Sequence, residues 1–140
     1  MSTDVIVYVL TGLALVVVVL TRLRMGKGQG AGRAYVGKLL LNFHTASGVV
    51  AILAWVLFLI SPEDSSLGDP LVGIIALAFW WVTTICGLLM LTRWLPSRGR
   101  HSSEGFQDSW SEGPGLSVLA HVGMVVGVCV FTWAYLTSAV

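Results

Sequence analysis

The sequence predicts an all-α integral membrane protein, a four-helix bundle whose helices run up-down-up-down with both termini outside. Two observations lead to this fold class. Apolar residues make up 56% of the chain and charged residues only 11%, whereas a soluble domain has about 25% charged residues. The apolar residues also fall into four uncharged runs, each close to the length of about 20 residues that a helix needs to cross a bilayer. We expect a single transmembrane domain over residues 1–140.

The first predicted span covers residues 4–23, around the apolar run VIVYVLTGLALVVVVL. Asp4 precedes this run, and Arg22 and Arg24 follow it. A cleaved signal peptide has the opposite order, with positive charge before its apolar run and a small-residue cleavage site after it. We therefore expect the first helix to be retained. A basic, glycine-rich loop follows at residues 22–38.

The remaining predicted spans cover residues 39–60, 71–92 and 116–139. The segment SPEDSSLGDP, which joins the second span to the third, contains two prolines and a glycine and is typical of a short turn-rich connection. A longer polar loop at 93–115 precedes the fourth span. Because the four apolar runs contain no carboxylate, arginine or proline, the sequence disfavours a transporter or a channel.

The placement of charge predicts the orientation of the chain in the membrane. All eight basic residues lie in the loops 22–38 and 93–115, whereas the N-terminus and the connection at 61–70 carry only acidic residues. Lys and Arg in short loops stay on the cytoplasmic side, so we place both basic loops in the cytoplasm. We expect a multi-pass protein of the cell membrane, and the compact chain with its short loops suggests a bacterial inner membrane.

Several function classes lack the residues they need. Cys86 and Cys129 lie inside apolar runs and form neither a CxxC motif nor a zinc-ligand spacing, so we interpret them as packing residues. The sequence has no basic face with interleaved aromatic residues, so we expect no nucleic-acid partner. The sequence contains no HExxH, no catalytic triad and no paired intramembrane carboxylates, so we expect no enzyme activity from this chain alone. The expected partners are membrane lipid and other membrane subunits.

Two histidines lie within the predicted spans. His44 follows Lys38 by six residues and His121 follows Gly115 by six residues, which places each about 9 Å from the cytoplasmic end of its helix. The second and fourth helices run in the same direction, so the two imidazoles lie at nearly the same depth. These helices are diagonal to each other in a simple four-helix bundle. Ionisable groups inside a span are costly, and their default interpretation is functional.

This arrangement predicts one haem whose iron is held by His44 and His121. Diagonal helices leave more room for a porphyrin than adjacent helices, which pack about 8–10 Å apart. Lys38 and Arg93 are basic residues at the cytoplasmic side that could meet the haem propionates. Small residues close to the two histidines would leave room for the ring: Ser47, Gly48, Ser117 and Gly123. The glycines of the apolar runs are expected chiefly to let the helices pack closely: Gly12, Gly48, Gly73, Gly87, Gly123 and Gly127.

The chain resembles the haem-binding core of small four-helix b-type cytochrome membrane subunits. The matching elements are FHTASG around His44 and LAHVG around His121. The resemblance implies haem b as the cofactor, electron transport as the role and a respiratory chain as the setting. Two-haem membrane cytochromes use four histidine ligands, with one pair near each face. Because the outer halves of these spans contain no histidine, at most one haem is expected here, on the inner side.

Two other interpretations use the same histidines. Each imidazole could hydrogen-bond a carbonyl or a hydroxyl of a neighbouring helix, a contact worth about 0.6 kcal/mol on average in membranes. The candidate partners are Thr45, Ser47, Thr83, Thr84 and Ser117. The chain would then be a cofactor-free accessory subunit that stabilises a larger membrane assembly. A quinone or proton site is the weaker third interpretation.

The remaining histidine and the tryptophans within the spans are interpreted structurally. His101 lies beside Arg98 and Arg100 in the second basic loop, so we expect it to be solvated. Trp80 and Trp81 lie near the middle of the third span and are expected to fill gaps between helices rather than to line a cofactor, whereas Trp55 lies in the outer half of the second span.

Overall fold

The protein is described by a computed structural model, which covers residues 2–26, 38–94 and 115–140. These residues form four α-helices and no strand: α1 at Thr3–Gly26, α2 at Lys38–Ile60, α3 at Pro70–Trp94 and α4 at Gly115–Leu136. The predicted all-α fold is confirmed. Most of each predicted basic loop, including His101, lies outside the described residues.

Three helical segments are long and apolar enough to cross a bilayer: Leu39–Ile60, Pro70–Thr92 and Val118–Leu136. The apolar segment Thr3–Val19 of α1 is shorter, although α1 itself has 24 residues. Large apolar side chains point outward from the bundle, among them Leu13, which is 56% exposed, and Leu119, which is 68% exposed. Such a surface is suited to lipid, and the chain is a membrane protein with transmembrane helices, as the sequence predicts.

The helices form a bundle in which α3 packs extensively against α2 and less extensively against α4. α1 packs against α4 and more lightly against α2. Within the described parts of the chain, the backbones of α2 and α4 make no close approach to each other. The two helices that carry His44 and His121 are therefore diagonal, which is the arrangement expected from the chain order.

A compact turn at residues 61–69 joins α2 to α3. Ser65 donates its hydroxyl proton to the carbonyl of Pro62 at 2.7 Å, and the N–H of Gly68 donates to Ser65 Oγ at 3.1 Å. A methyl group at Gly68 would overlap the Pro62 carbonyl, so only glycine fits there. Asp69 Oδ1 accepts the N–H of Leu71 at 2.7 Å and caps the start of α3. This connection makes α2 and α3 antiparallel neighbours.

An aromatic core fills the end of the bundle nearest this turn, called the turn end below. Trp55, Trp80 and Phe131 are fully buried, with ring centroids 5.1 Å apart for Trp55 and Phe131 and 5.6 Å apart for Trp80 and Phe131. Trp55 Nε1–H donates to Thr11 Oγ1 at 3.2 Å, and the Thr11 hydroxyl donates to the Val7 carbonyl at 2.8 Å. Trp80 therefore fills space between helices, as expected, and Trp55 does the same and also ties α2 to α1. Trp81 is instead 38% exposed and donates from Nε1 to Thr132 Oγ1 of α4 at 3.2 Å.

The fourth helix ends at Leu136, three residues before the end of the predicted span at 139. Ser138 has a φ of 52°, and the N–H of Ala139 donates to the Ala134 carbonyl at 2.9 Å. The N–H of Ser138 donates to the Tyr135 carbonyl at 3.1 Å. These bonds form a Schellman cap, which ends the helix by turning one residue into the left-handed region.

Candidate functional site

The two intramembrane histidines come together between α2, α3 and α4. Each is the seventh residue of its helix, counted from Lys38 in α2 and from Gly115 in α4. The ring centroids of His44 and His121 lie 6.3 Å apart, and the ring planes differ by 27°. Both side chains are half-buried. The pair lies in the half of the bundle away from the turn end.

Gly87 of α3 lies directly beside both imidazoles. A methyl group at this position would be 2.7 Å from His121 Cδ2 and 3.2 Å from His44 Cε1. Both distances are shorter than an ordinary carbon–carbon contact of about 3.5–4.0 Å. Because glycine has no side chain, the backbone of α3 can pack directly against both imidazole rings. The sequence indicated Gly87 only as a packing glycine, and its place beside the histidine pair emerges from the structure.

His44 makes a hydrogen bond that decides its tautomer. His44 Nδ1 lies 3.0 Å from the backbone carbonyl oxygen of Thr83. A carbonyl oxygen only accepts, so Nδ1 carries the proton and donates it, and the neutral ring leaves Nε2 with a lone pair. In a helix the carbonyl of residue 83 points toward residue 87. The absence of a side chain at Gly87 therefore also lets the imidazole reach this carbonyl.

Two buried hydroxyls lie next to this hydrogen bond. Thr83 Oγ1 and Ser47 Oγ are 2.9 Å apart across the α2–α3 interface. Ser47 Oγ is also 3.2 Å from the His44 carbonyl oxygen, and Thr83 Oγ1 is 2.8 Å from the Phe79 carbonyl oxygen. Thr83 was a predicted hydrogen-bond partner of a histidine, and the structure shows that its backbone carbonyl makes the contact. Thr84, another candidate, instead donates to the Trp80 carbonyl of its own helix at 2.8 Å.

The structure describes only some of the other predicted site residues. A methyl group at Gly48 would touch Thr83 Cγ2 at 3.4 Å, whereas one at Gly123 would meet no neighbour within 4 Å. Gly48 therefore allows α2 and α3 to approach, and Gly123 faces open space. Lys38 begins α2 and Arg93 lies in the last turn of α3, but their side chains are outside the described part of the structure, as is the side chain of Ser117.

The site can supply two nitrogen ligands and little else. Among the residues that the structure describes, no group of three or more His, Cys, Asp or Glu side chains could hold a metal ion. A bare zinc ion takes about four ligands, which two imidazoles do not provide. Haem iron takes four nitrogens from its porphyrin, so two imidazoles complete its coordination. No protein-family model, no curated protein and no solved structure matches this chain.

Proposed function

We propose that the protein is a small membrane subunit that binds one b-type haem between His44 and His121. In this role it takes part in electron transfer within a respiratory-type complex of a bacterial cell membrane. The observation that carries the proposal is the 6.3 Å separation of the two ring centroids. A metal–imidazole bond is about 2 Å long and the ring centre lies about 1 Å beyond the bonded nitrogen, so centroids about 6 Å apart would allow both imidazoles to hold one iron between them.

The hydrogen bond of His44 supports the same proposal. Histidines that bind metals nearly always donate their other ring N–H to a carbonyl, a carboxylate or water, which fixes the tautomer and the orientation of the ring. His44 donates from Nδ1 to the Thr83 carbonyl at 3.0 Å. Its Nε2 is then the nitrogen available to iron.

The surroundings suit a one-electron site with access from one side. Bound haem would supply the one-electron couple of its iron, with a potential set by the axial ligands and by burial. The aromatic core around Trp55 and Trp80 fills the turn end, so we propose that electrons enter and leave at the opposite end. Lys38 is six residues from His44 and Arg93 is six residues from Gly87, each about 9 Å along its helix. We propose both as partners of the haem propionates.

A second candidate is the cofactor-free accessory subunit, in which the histidines only join helices. The specific observation in its favour is that the bond from His44 to the Thr83 carbonyl connects α2 to α3 within the protein itself. In this case the wide apolar surface of the bundle would pack against other subunits of a larger membrane assembly. The two candidates differ in whether the purified protein binds haem.

The deciding experiment is an absorbance spectrum of detergent-purified protein, oxidised and then reduced with dithionite, after expression with added haem. We expect the α band of a reduced b-type haem, with one haem per chain. His44→Ala and His121→Ala should each abolish the band, because each removes one iron ligand. His101→Ala is the matched control and should leave the band unchanged, since His101 is assigned to a charged loop.

Two results would refute the haem proposal. One is a spectrum without haem bands from wild-type protein whose circular dichroism shows an intact helical fold. The other is a haem band that survives both His44→Ala and His121→Ala. The first result would favour the accessory-subunit candidate, or a quinone site at the same histidines, and co-purification from native membranes would then be used to identify partner subunits. The second result would place the haem away from the two histidines.

A further inference from the structure

We infer that Thr83 and Ser47 are positioning residues, which hold His44 with its proton on Nδ1 and with Nε2 unprotonated. The consequence for haem rests on the proposed function, whereas the tautomer itself can be measured in the haem-free protein. The evidence is that two contacts join the same short segments of α2 and α3. The His44 ring reaches the Thr83 carbonyl at 3.0 Å, and the Ser47 hydroxyl lies 2.9 Å from the Thr83 hydroxyl.

The hydroxyl contact is well protected from its surroundings. Thr83 is 4% exposed and Ser47 is 5% exposed. The two hydroxyls have two protons between them, so one proton bridges Ser47 Oγ and Thr83 Oγ1 and the other goes to a carbonyl of its own helix, at His44 or Phe79. Separating α2 from α3 breaks this bridge and leaves each hydroxyl with only the carbonyl of its own helix, so one hydrogen bond is lost. The pair therefore resists separation of α2 from α3 at this level.

This resistance fixes the distance between imidazole and carbonyl. Ser47 lies three residues after His44, almost one turn further along α2, and the carbonyl that receives the imidazole proton belongs to Thr83 itself. A separation of α2 from α3 at this level would lengthen both the hydroxyl contact and the imidazole contact. A hydrogen bond from Nδ1–H raises the basicity of Nε2. With haem bound, the more basic nitrogen would favour oxidised over reduced iron and would lower the reduction potential.

The test is Thr83→Val, which replaces the hydroxyl by a methyl group of similar size. Thr84→Val is the matched control, because Thr84 is 3% exposed and donates to a carbonyl of its own helix in the same way, at 2.8 Å. Thr83→Ser restores the hydroxyl and should rescue the wild-type behaviour. Ser47→Ala removes the other hydroxyl and tests the same contact from α2. Circular dichroism establishes that each variant is folded.

The first measurement is ¹⁵N NMR of the histidine side chains in haem-free protein. We expect the wild type, Thr84→Val and Thr83→Ser to show His44 protonated on Nδ1 alone, and Thr83→Val and Ser47→Ala to show a mixture of tautomers. An unchanged tautomer in both variants that lack a hydroxyl would overturn the inference. This result is independent of haem, so it decides the inference even if wild-type protein binds none and the proposed function fails.

The second measurement applies to haem-loaded protein. Loss of a hydrogen bond that orients a metal ligand typically weakens metal binding about 10- to 100-fold. We therefore expect Thr83→Val to bind haem at least about tenfold more weakly than the wild type. Each tenfold loss of haem affinity that is confined to the oxidised state should raise the midpoint potential by about 59 mV. A potential and an affinity equal to those of Thr84→Val, in protein that binds haem normally, would overturn the positioning role while leaving the haem proposal intact.

Discussion

Substitution of Gly87 by alanine tests how closely α3 must approach the histidine pair. The added methyl group would lie 2.7 Å from His121 Cδ2, 3.1 Å from His121 Nε2 and 3.2 Å from His44 Cε1. The shortest of these contacts is about 1 Å below an ordinary carbon–carbon contact. Both rings therefore have to move, or α3 has to move away from α2 and α4 together.

The expected change in stability is the balance of an overpacking cost and a gain in helix propensity. Overpacking a well-packed site costs about 1–3 kcal/mol, whereas alanine is up to about 1 kcal/mol better than glycine in a helix. Gly123→Ala is the matched control, because Gly123 is also helical and faces open space two residues from His121. Only the propensity term applies to the control. Gly87→Ala should therefore be about 1–3 kcal/mol less stable than Gly123→Ala.

The assay is unfolding of each purified variant in detergent, followed by circular dichroism, together with titration of the haem-free protein with haem. If the whole overpacking cost is lost from haem binding because the two rings are displaced, haem affinity drops about 5- to 150-fold. For haem affinity the control is Gly12→Ala in α1, where an added methyl group also meets nothing within 4 Å, and this variant should bind haem as the wild type does. A Gly87→Ala protein as stable as the Gly123→Ala protein would refute the close approach, and an unchanged haem affinity would refute the role of Gly87 at the site.

Two further predictions concern the aromatic core and the orientation of the chain. Trp55→Phe should destabilise the protein about 1 kcal/mol more than Trp80→Phe. The reason is that Trp55 donates to Thr11 at 3.2 Å, whereas Trp80 Nε1 has no hydrogen-bond partner among the described residues. Equal losses of stability in the two variants, measured by circular dichroism unfolding, would contradict this prediction. With both native cysteines replaced by alanine, Ser66→Cys, at an exposed position of the turn, should react with a membrane-impermeant maleimide on intact cells, whereas Ser102→Cys should react only after lysis. The reverse labelling pattern would refute the proposed orientation.

The sequence alone was sufficient to predict the helices and the diagonal placement of α2 and α4. In lipid every backbone polar group has to be satisfied within the segment, so an uncharged apolar run of spanning length has to become a helix. The equal spacing from Lys38 to His44 and from Gly115 to His121 then predicts that the two imidazoles share a depth. The haem proposal, its propionate partners and the orientation remain predictions that the experiments above test.

Only the tertiary structure decided what surrounds the pair. Membrane helices are apolar on every side, so the sequence pattern does not say which face of α3 turns toward the histidines, and that rotation is set by packing of the whole bundle. Gly87 consequently looked like any other small packing residue. The partner of His44 is a backbone carbonyl, at Thr83, and every residue has one. A backbone acceptor has no signature in the sequence and becomes recognisable only when the fold brings an imidazole to it.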